Sequence, residues 1–139
     1  MAKETGLGWT AWSVADASGT VRALRSATTG LQIAMPRGVQ DVTGLAVSAF
    51  ERLLLLADLS GTFNGVFDDA SNSAHNVLKT VPSYNTGREF LYTISGQSLG
   101  VTNTPTIHVT DYQLARAQDG SFTWTAPFVL ANGVVPVWS

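Results

Sequence analysis

Residues 51–64, ERLLLLADLSGTFN, separate into two faces when read with a period of two. One face carries Leu53, Leu55, Ala57, Leu59, Gly61 and Phe63. The pattern makes it a core face, with Leu53, Leu55, Leu59 and Phe63 as its principal side chains. The other carries Arg52, Leu54, Leu56, Asp58, Ser60, Thr62 and Asn64, apolar early and polar late. A strand apolar on both sides wants protein on both sides, and in so small a chain the second cover has to come from another subunit. Leu and Ala are also good helix formers, so a helix is the rival reading. The Ser-Gly-Thr-Phe-Asn-Gly tail argues against continuing such a helix past Leu59.

The rest of the chain reads as short strands punctuated by turns. Strand patterns cover 9–15, 20–27, 31–35, 39–45 and 47–51, and Asn64-Gly65 signals a turn. The one helix expected runs over 68–80. Asp68, Asp69 and Ser71 suit its first turn, Ala70, Ala74, Val77 and Leu78 form its apolar stripe, and Pro82 stops it. A strand follows over 88–95, with Phe90, Tyr92 and Ile94 on one face, then a loop over 96–104. Residues 106–117 and 121–130, joined by Gln118-Asp119-Gly120, form the clearest hairpin, and 134–139 is an extended tail. Seven or eight strands with one helix predict a mainly β fold, a two-sheet β-sandwich or half-barrel with a helix on its flank. A chain of 139 residues predicts a single domain, with an extended N-terminal segment (about 1–8) and a C-terminal tail (about 131–139).

Composition changes the picture in one respect. Charged residues make up 13% of the chain, about half the usual ~25%. A lone monomer needs charge to cover its surface, so the shortfall favours a protein whose outside is covered by copies of itself or by partners. The alternative is a monomer with a Ser/Thr/Asn/Gln surface. The net charge is −2 and the cations are scattered singly, which leaves no basic stripe for specific nucleic-acid binding. No cysteine is present, so disulfides and thiolate metal sites are excluded. The sequence MAKETGLGWT has no apolar signal region, and no stretch approaches the length of a membrane span, which predicts folding in a cytosol.

Candidate chemistry is sparse. His75 stands near Asp68, Asp69, Ser71 and Asn72, but without the spacing of a metal or triad motif. A capped helix with an exposed histidine explains the same residues. His108 and Asp111 lie three apart on an expected strand and so point to opposite faces. Ser60–Gly65 has neither the Lys nor the helix start of a phosphate loop. Neither catalysis, nor a cofactor, nor a metal site is expected. Trp9, Trp12, Trp124 and Trp138 could form a sugar-stacking platform, but they also suit core plugs and interface anchors. Trp9 and Trp138, near the termini, are expected subunit contacts, with Leu54 and Leu56.

Several long strings, in order, carry a family resemblance: VQDVTGL (39–45), SAFERLLLLADLSGTFNGVFDD (48–69), SAHNVLKTV (73–81) and TDYQLARAQDGSFTWTAPFVLANGVVPVW (110–138). They resemble the major tail tube proteins of long-tailed, non-contractile bacteriophages, from about Gly19 to the C-terminus. None is a catalytic signature. The resemblance implies a two-sheet β fold with a flanking helix, of a kind also found in contractile-tail and type VI secretion tubes. It implies hexameric rings whose sheets join into a barrel, stacked into a tube that conducts the phage genome. Its implied partners are other copies of the chain, the tail tip, tape measure and tail terminator proteins, and viral DNA in transit without specific binding; no membrane is involved. The place implied is the virion tail, assembled in the host cytoplasm. A conduit should lack Lys/Arg partners for phosphate, so Asp58, Ser60, Thr62 and Asn64 become the candidate lumen-facing residues, the alternative being that they form the outer surface or a subunit contact. The runner-up is a sugar- or surface-binding β-sandwich module of a tail appendage.

Overall fold

The computed structural model describes residues 8–100 and 105–138. Most of the expected N-terminal segment lies outside the described residues, as do part of the 96–104 loop and Ser139. The strands are β1 (Trp9–Ala15), β2 (Val21–Ala23), β3 (Thr28–Ala34), β4 (Arg37–Asp41), β5 (Arg52–Ala57), β6 (Ser60–Val66), β7 (Phe90–Ile94), β8 (Gln97–Leu99), β9 (Ile107–Val109), β10 (Gln113–Arg116) and β11 (Phe122–Leu130). The single α-helix among the described residues is α1 (Ala74–Leu78). One sheet has the order β2-β1-β7-β8 and a second the order β10-β11-β6-β3, with β9 also on β11; β4 and β5 pair only with each other. The fold is therefore mainly β, with two principal antiparallel sheets and one short helix.

Alternation explains how the two sheets meet. Trp12, Val14 and Phe90 face inward from the first sheet, and Phe63, Trp124, Ala126 and Phe128 from the second. The rings touch across the gap: Trp12 lies edge-on to Phe63 at 5.1 Å between centroids, and Phe63 edge-on to Trp124 at 5.4 Å. This geometry adds to the area term of burying large rings. Gly61 and Gly65 flank Phe63 on the same inward face, paired across the sheet with Phe128 and Trp124. A side chain at Gly61 would strike the Gln32 carbonyl and the Phe128 ring, so the alternation of small and large residues lets aromatic rings lie over bare backbone.

The 51–64 segment departs from its expected form. It is not one strand but two, β5 and β6, broken at Asp58-Leu59. The Asp58 carboxylate accepts from the Leu59 N–H at 2.8 Å, and the Asp58 N–H reaches back to the Pro36 carbonyl at 2.9 Å. Pro36, which has no N–H to offer a ladder, marks the same break on the opposite strand. Leu59 and Phe63 are fully buried. Leu53 and Leu55, expected in the core, are 56% and 46% exposed, because their half of the segment leaves the body as the β4–β5 hairpin.

The helix is shorter than the expected 68–80. The Asp68 carboxylate accepts from the Ala70 N–H and the Ser73 hydroxyl, folding a turn instead of capping a helix. Asn72 then sits at φ 64°, in the left-handed region that helices do not use. Ala74, Val77 and Leu78 are buried; Ala70 is exposed. Arg88 ties this helix to β1. Its buried guanidinium donates to the carbonyls of Ala15 (2.7 Å) and Val77 (3.2 Å) and to the Thr80 hydroxyl (3.3 Å), and stacks on Tyr84. Burial pulls its pKa below the ordinary arginine value, while Tyr84 and Asp16 favour the charged form. The carbonyl end of α1 takes the place of a paired carboxylate.

Candidate assembly surface

Three surfaces of the chain are incomplete by themselves. The first is the β4–β5 hairpin. Val39 and Leu54 pair on one face, which Leu56 extends, while Leu53 and Leu55 lie on the other. Every residue of both strands is exposed, Leu56 at 92%, and the connecting loop adds exposed Leu45 and Phe50. Both faces of this hairpin are thus apolar and uncovered. A lone two-stranded hairpin is marginal in water, and so large an apolar patch is a candidate contact surface.

The second is the pair of free edges of the five-stranded sheet. Strands β9 and β10 both pair with β11, β9 along Phe128–Leu130 and β10 along Phe122–Thr125. They are one interrupted strand, so the sheet is four strands wide. Its edges are β3 on one side and β9/β10 on the other; the Arg88 backbone bridges Ile107 at the β9 end, and among the described residues no strand pairs beyond β3 or β10. Every pairing in the sheet is antiparallel, so its two edge strands run in opposite directions. A copy set beside it by rotation about an axis along the strands therefore meets β3 with an antiparallel β10. Edge-to-edge repetition keeps the alternation unbroken.

The third surface is the outward face of that sheet. The register places Ser60, Thr62, Asn64 and Val66 outward on β6, opposite Val129, Pro127, Thr125 and Thr123 of β11. Gly30, Gln32 and Ala34 of β3 lie beside them on one flank. Gln113 and Ala115 of β10 and His108 of β9 lie on the other. No Asp, Glu, Lys or Arg occupies any of these positions. A water-facing sheet ordinarily carries charge, so the neutrality is a specific property of this face. Of the four candidate lumen residues, Ser60, Thr62 and Asn64 share it, and Asp58 stands beyond its end at the break.

The remaining candidates distribute as follows. Leu54 and Leu56 lie on one face of the hairpin. Trp9 is half-buried; its ring packs near Tyr92, and its indole N–H donates to the Ala11 carbonyl at 3.0 Å. Trp138 is 40% exposed, edge-on to Tyr92, and its backbone bridges Leu99. With Leu31, Ile33, Met35, Tyr92 and Ile94, Trp138 lines an apolar groove of about 300 Å³ beside the β3 edge. Trp12 and Trp124 are core residues, so the four tryptophans form no surface platform.

His75 packs against Phe67, with its Nδ1 3.1 Å from the Tyr112 hydroxyl, whose pKa burial raises. The Asp111 carboxylate accepts from Tyr112 N–H and Gln113 Nε2 and is occupied by its own turn. Among the described residues no cluster of His, Asp and Glu could hold a metal ion. No helix there is long and apolar enough to cross a membrane. Sequence reasoning expected sheets of neighbouring copies to join but not which strands form the edges, which only pairing reveals. It also considered His108 only as a partner for Asp111; the signal available was that His108 alternates with Ile107 and Val109, which face the core.

No protein-family model matches the sequence, and no curated protein matches it. Solved structures do. The chain is similar to one in the virion of a native gene transfer agent particle, with a TM-score of 0.73 and 17% identity, over 97% of this chain and 99% of that one. It is also similar to one in the tail of an empty gene transfer agent particle with C6 symmetry. The TM-score there is 0.72 and the identity 19%, over 99% of this chain and 98% of the other. This chain has the fold of a gene transfer agent tail chain. The likeness is end to end, so the two-sheet body and the hairpin both belong to that fold.

Proposed function

We propose that this chain is a structural virion protein that polymerises as stacked hexameric rings into a tail tube, the conduit for genome delivery. One observation carries the reading: a sheet four strands wide whose β3 and β10 edge strands are mutually antiparallel and lack a further strand among the described residues, in a fold shared with a chain of a C6-symmetric tail. Six such sheets joined edge to edge give roughly 24 strands, which at ~4.8 Å spacing set a backbone circle about 37 Å across before tilt widens it. That exceeds the roughly 16–18 strands that already leave an aqueous channel. The uncharged outward face then lines the bore, with Ser60, Thr62 and Asn64 in it and Asp58 at its end. DNA passes it without cationic partners to hold the phosphates. The two-faced hairpin, with Leu54 and Leu56, supplies contacts to neighbouring copies, Trp138 flanks the β3 edge where the next copy joins, and Trp9, near Tyr92, is a further contact. Tail tip, tape measure and terminator proteins would meet the assembled tube, not the single chain.

The sugar-binding alternative has lost its aromatic platform, since Trp12 and Trp124 are buried. Electron microscopy of concentrated purified protein, with and without tail-tip seeds, tests the reading. Rings or tubes with six-fold end views are expected. A strictly monomeric species under every condition, seeds included, overturns it.

A further inference from the structure

The two edges of the five-stranded sheet are unfinished in opposite ways on the core side. At the β3 edge there is a hole. Leu31 and Ile33 are paired with Phe63 and Gly61 and share their inward side, and Tyr92 faces inward from the first sheet beside Trp12. Between these walls, with Ile94 and the half-exposed Met35 and Trp138, runs the apolar groove of about 300 Å³. None of its six lining residues is charged. At the β10 edge there is a projection. Every residue of β10 is exposed. Leu114 is paired with Trp124 and so points to the core side, yet it is 46% exposed. The rings packed on Trp124 are those of Phe63 and Tyr112. One edge therefore carries a core-side groove that its own chain does not fill, and the other a core-side leucine that its own chain does not cover.

We propose that Leu114 of the next copy fills this groove, opposite Leu31, and so fixes the register of the β3–β10 junction. This rests on the ring reading above. A head-to-tail ring repeats one heterologous contact, whose two halves are different and complementary, as a hole and a projection on opposite edges are. Side chains alternate along both strands, so a slip of one residue would turn Leu114 away from the groove to the uncharged outward face. The neighbours choose between the two even registers that fill the groove. With Leu114 opposite Leu31, antiparallel pairing sets Gln113 beside Gln32 and Ala115 beside Gly30, and carries Arg116 past the groove to Thr29. With Leu114 opposite Ile33, the Arg116 guanidinium would lie against Leu31, in an apolar contact with no acid to pair it. The hairpin leucines are apolar too, but strand pairing delivers β10, not the hairpin, to the β3 edge.

The chain has no cysteine, so an introduced pair reports one contact without background. Directly opposite residues on antiparallel strands bring their Cβ atoms to about 4.5–5.5 Å, close to disulfide reach. Within one chain Leu31 and Leu114 stand on opposite edges of the sheet, about 14 Å apart, too far to link. Full-length protein carrying Leu31→Cys and Leu114→Cys is assembled under reducing conditions, verified by electron microscopy and oxidised with copper phenanthroline. Denaturing gels without reductant should show a ladder of covalent oligomers. Gln32→Cys with Leu114→Cys should stay monomeric on the same gel. Leu114→Ala should raise the concentration needed for tubes at least ~10-fold while its denaturation midpoint stays near wild type. A ladder from the Gln32 pair, or from Leu31→Cys with Leu56→Cys, in place of the Leu31–Leu114 ladder overturns the proposal, because the junction then has another register or the groove holds the hairpin. Folded Leu114→Ala that assembles at the wild-type concentration overturns it as well, and this comparison decides where the cysteine variants form no tubes. In each of these outcomes wild-type tubes still form, so the ring reading stands. Wild-type protein that forms no rings or tubes under any condition removes the ring reading and this proposal together.

Discussion

Strands β5 and β6 are neighbours in sequence, share one alternating pattern and have opposite fates. In β6, Phe63 is fully buried between two glycines, its ring against Trp12, Trp124 and Phe128. In β5, which is the more apolar of the two, four consecutive leucines meet only the opposite strand of their own hairpin. Hydrophobicity does not separate them; what stands opposite does. β6 has the aromatic face of another sheet across from it, and the faces of β5 have nothing packed over them among the described residues. Fully burying a leucine is worth about 1.5–3 kcal/mol, so the hairpin holds a large reserve of stabilisation realised only on contact with another molecule. Under the proposed assembly, the same kind of residue serves folding in one half of the segment and association in the other.

That contrast can be broken from the β6 side first. Phe63→Ala should cost about 3–5 kcal/mol, a large part of the stability of a domain this size, and chemical denaturation should show a collapsed midpoint or no cooperative transition. Gly61→Ala drives a methyl into the Gln32 carbonyl and the Phe128 ring, at an expected cost of about 1–3 kcal/mol, read in the same way.

Asp16, in the turn between β1 and β2, tests stability far from both strands. Burial works against its charge, but hydrogen bonds from Ser18, Arg22 and Thr20 outweigh that and hold the carboxyl down at about 2. A lowered pKa contributes stability that is present above about pH 4, where an unfolded carboxylate is ionised, and that is lost as pH falls toward 2. Asp16→Asn should remove about 1–2 kcal/mol at neutral pH and flatten the thermal-stability profile across that acid window. An unchanged acid profile would remove Asp16 from the account.

The smallest effect on folding is expected where the effect on assembly is largest. Leu54→Ser with Leu56→Ser should leave the stability of the single chain within about 0.5 kcal/mol of wild type. Light scattering should show it failing to polymerise at concentrations where wild type does. If the double variant instead unfolds, the hairpin belongs to the core, and the contrast between β5 and β6 disappears.

The fold class and the 106–130 hairpin were legible, because period-two alternation and the Asp119-Gly120 turn act locally. The break inside 51–64 was not. Alternation runs without a fault through Asp58 and Leu59, and four leucines read as a strand wherever a strand is placed. What decides the break is Asp58 bonding to Leu59 and Pro36, a tertiary fact. The helix was legible in place but not in length, because the acidic residues that suit a helix start also build a turn, and Asp68 took the second option. The outward face was legible only as three residues of one strand, Ser60, Thr62 and Asn64. Its neutrality emerges when register brings β3, β6 and β11 side by side.

The joint at Pro36 and Asp58 also gives the molecule a natural cut line. Ala34 and Ser60 are directly paired across the sheet, so the strands enter and leave the hairpin at a separation a tight turn can close. Everything from Met35 to Leu59 except Leu59 itself lies outside the buried core. An engineer could therefore exchange the hairpin as a cassette. If the chain assembles as proposed, shortening it would give a building block that folds but stays solitary, and redesigning its leucines would make tubes that accept only their own kind.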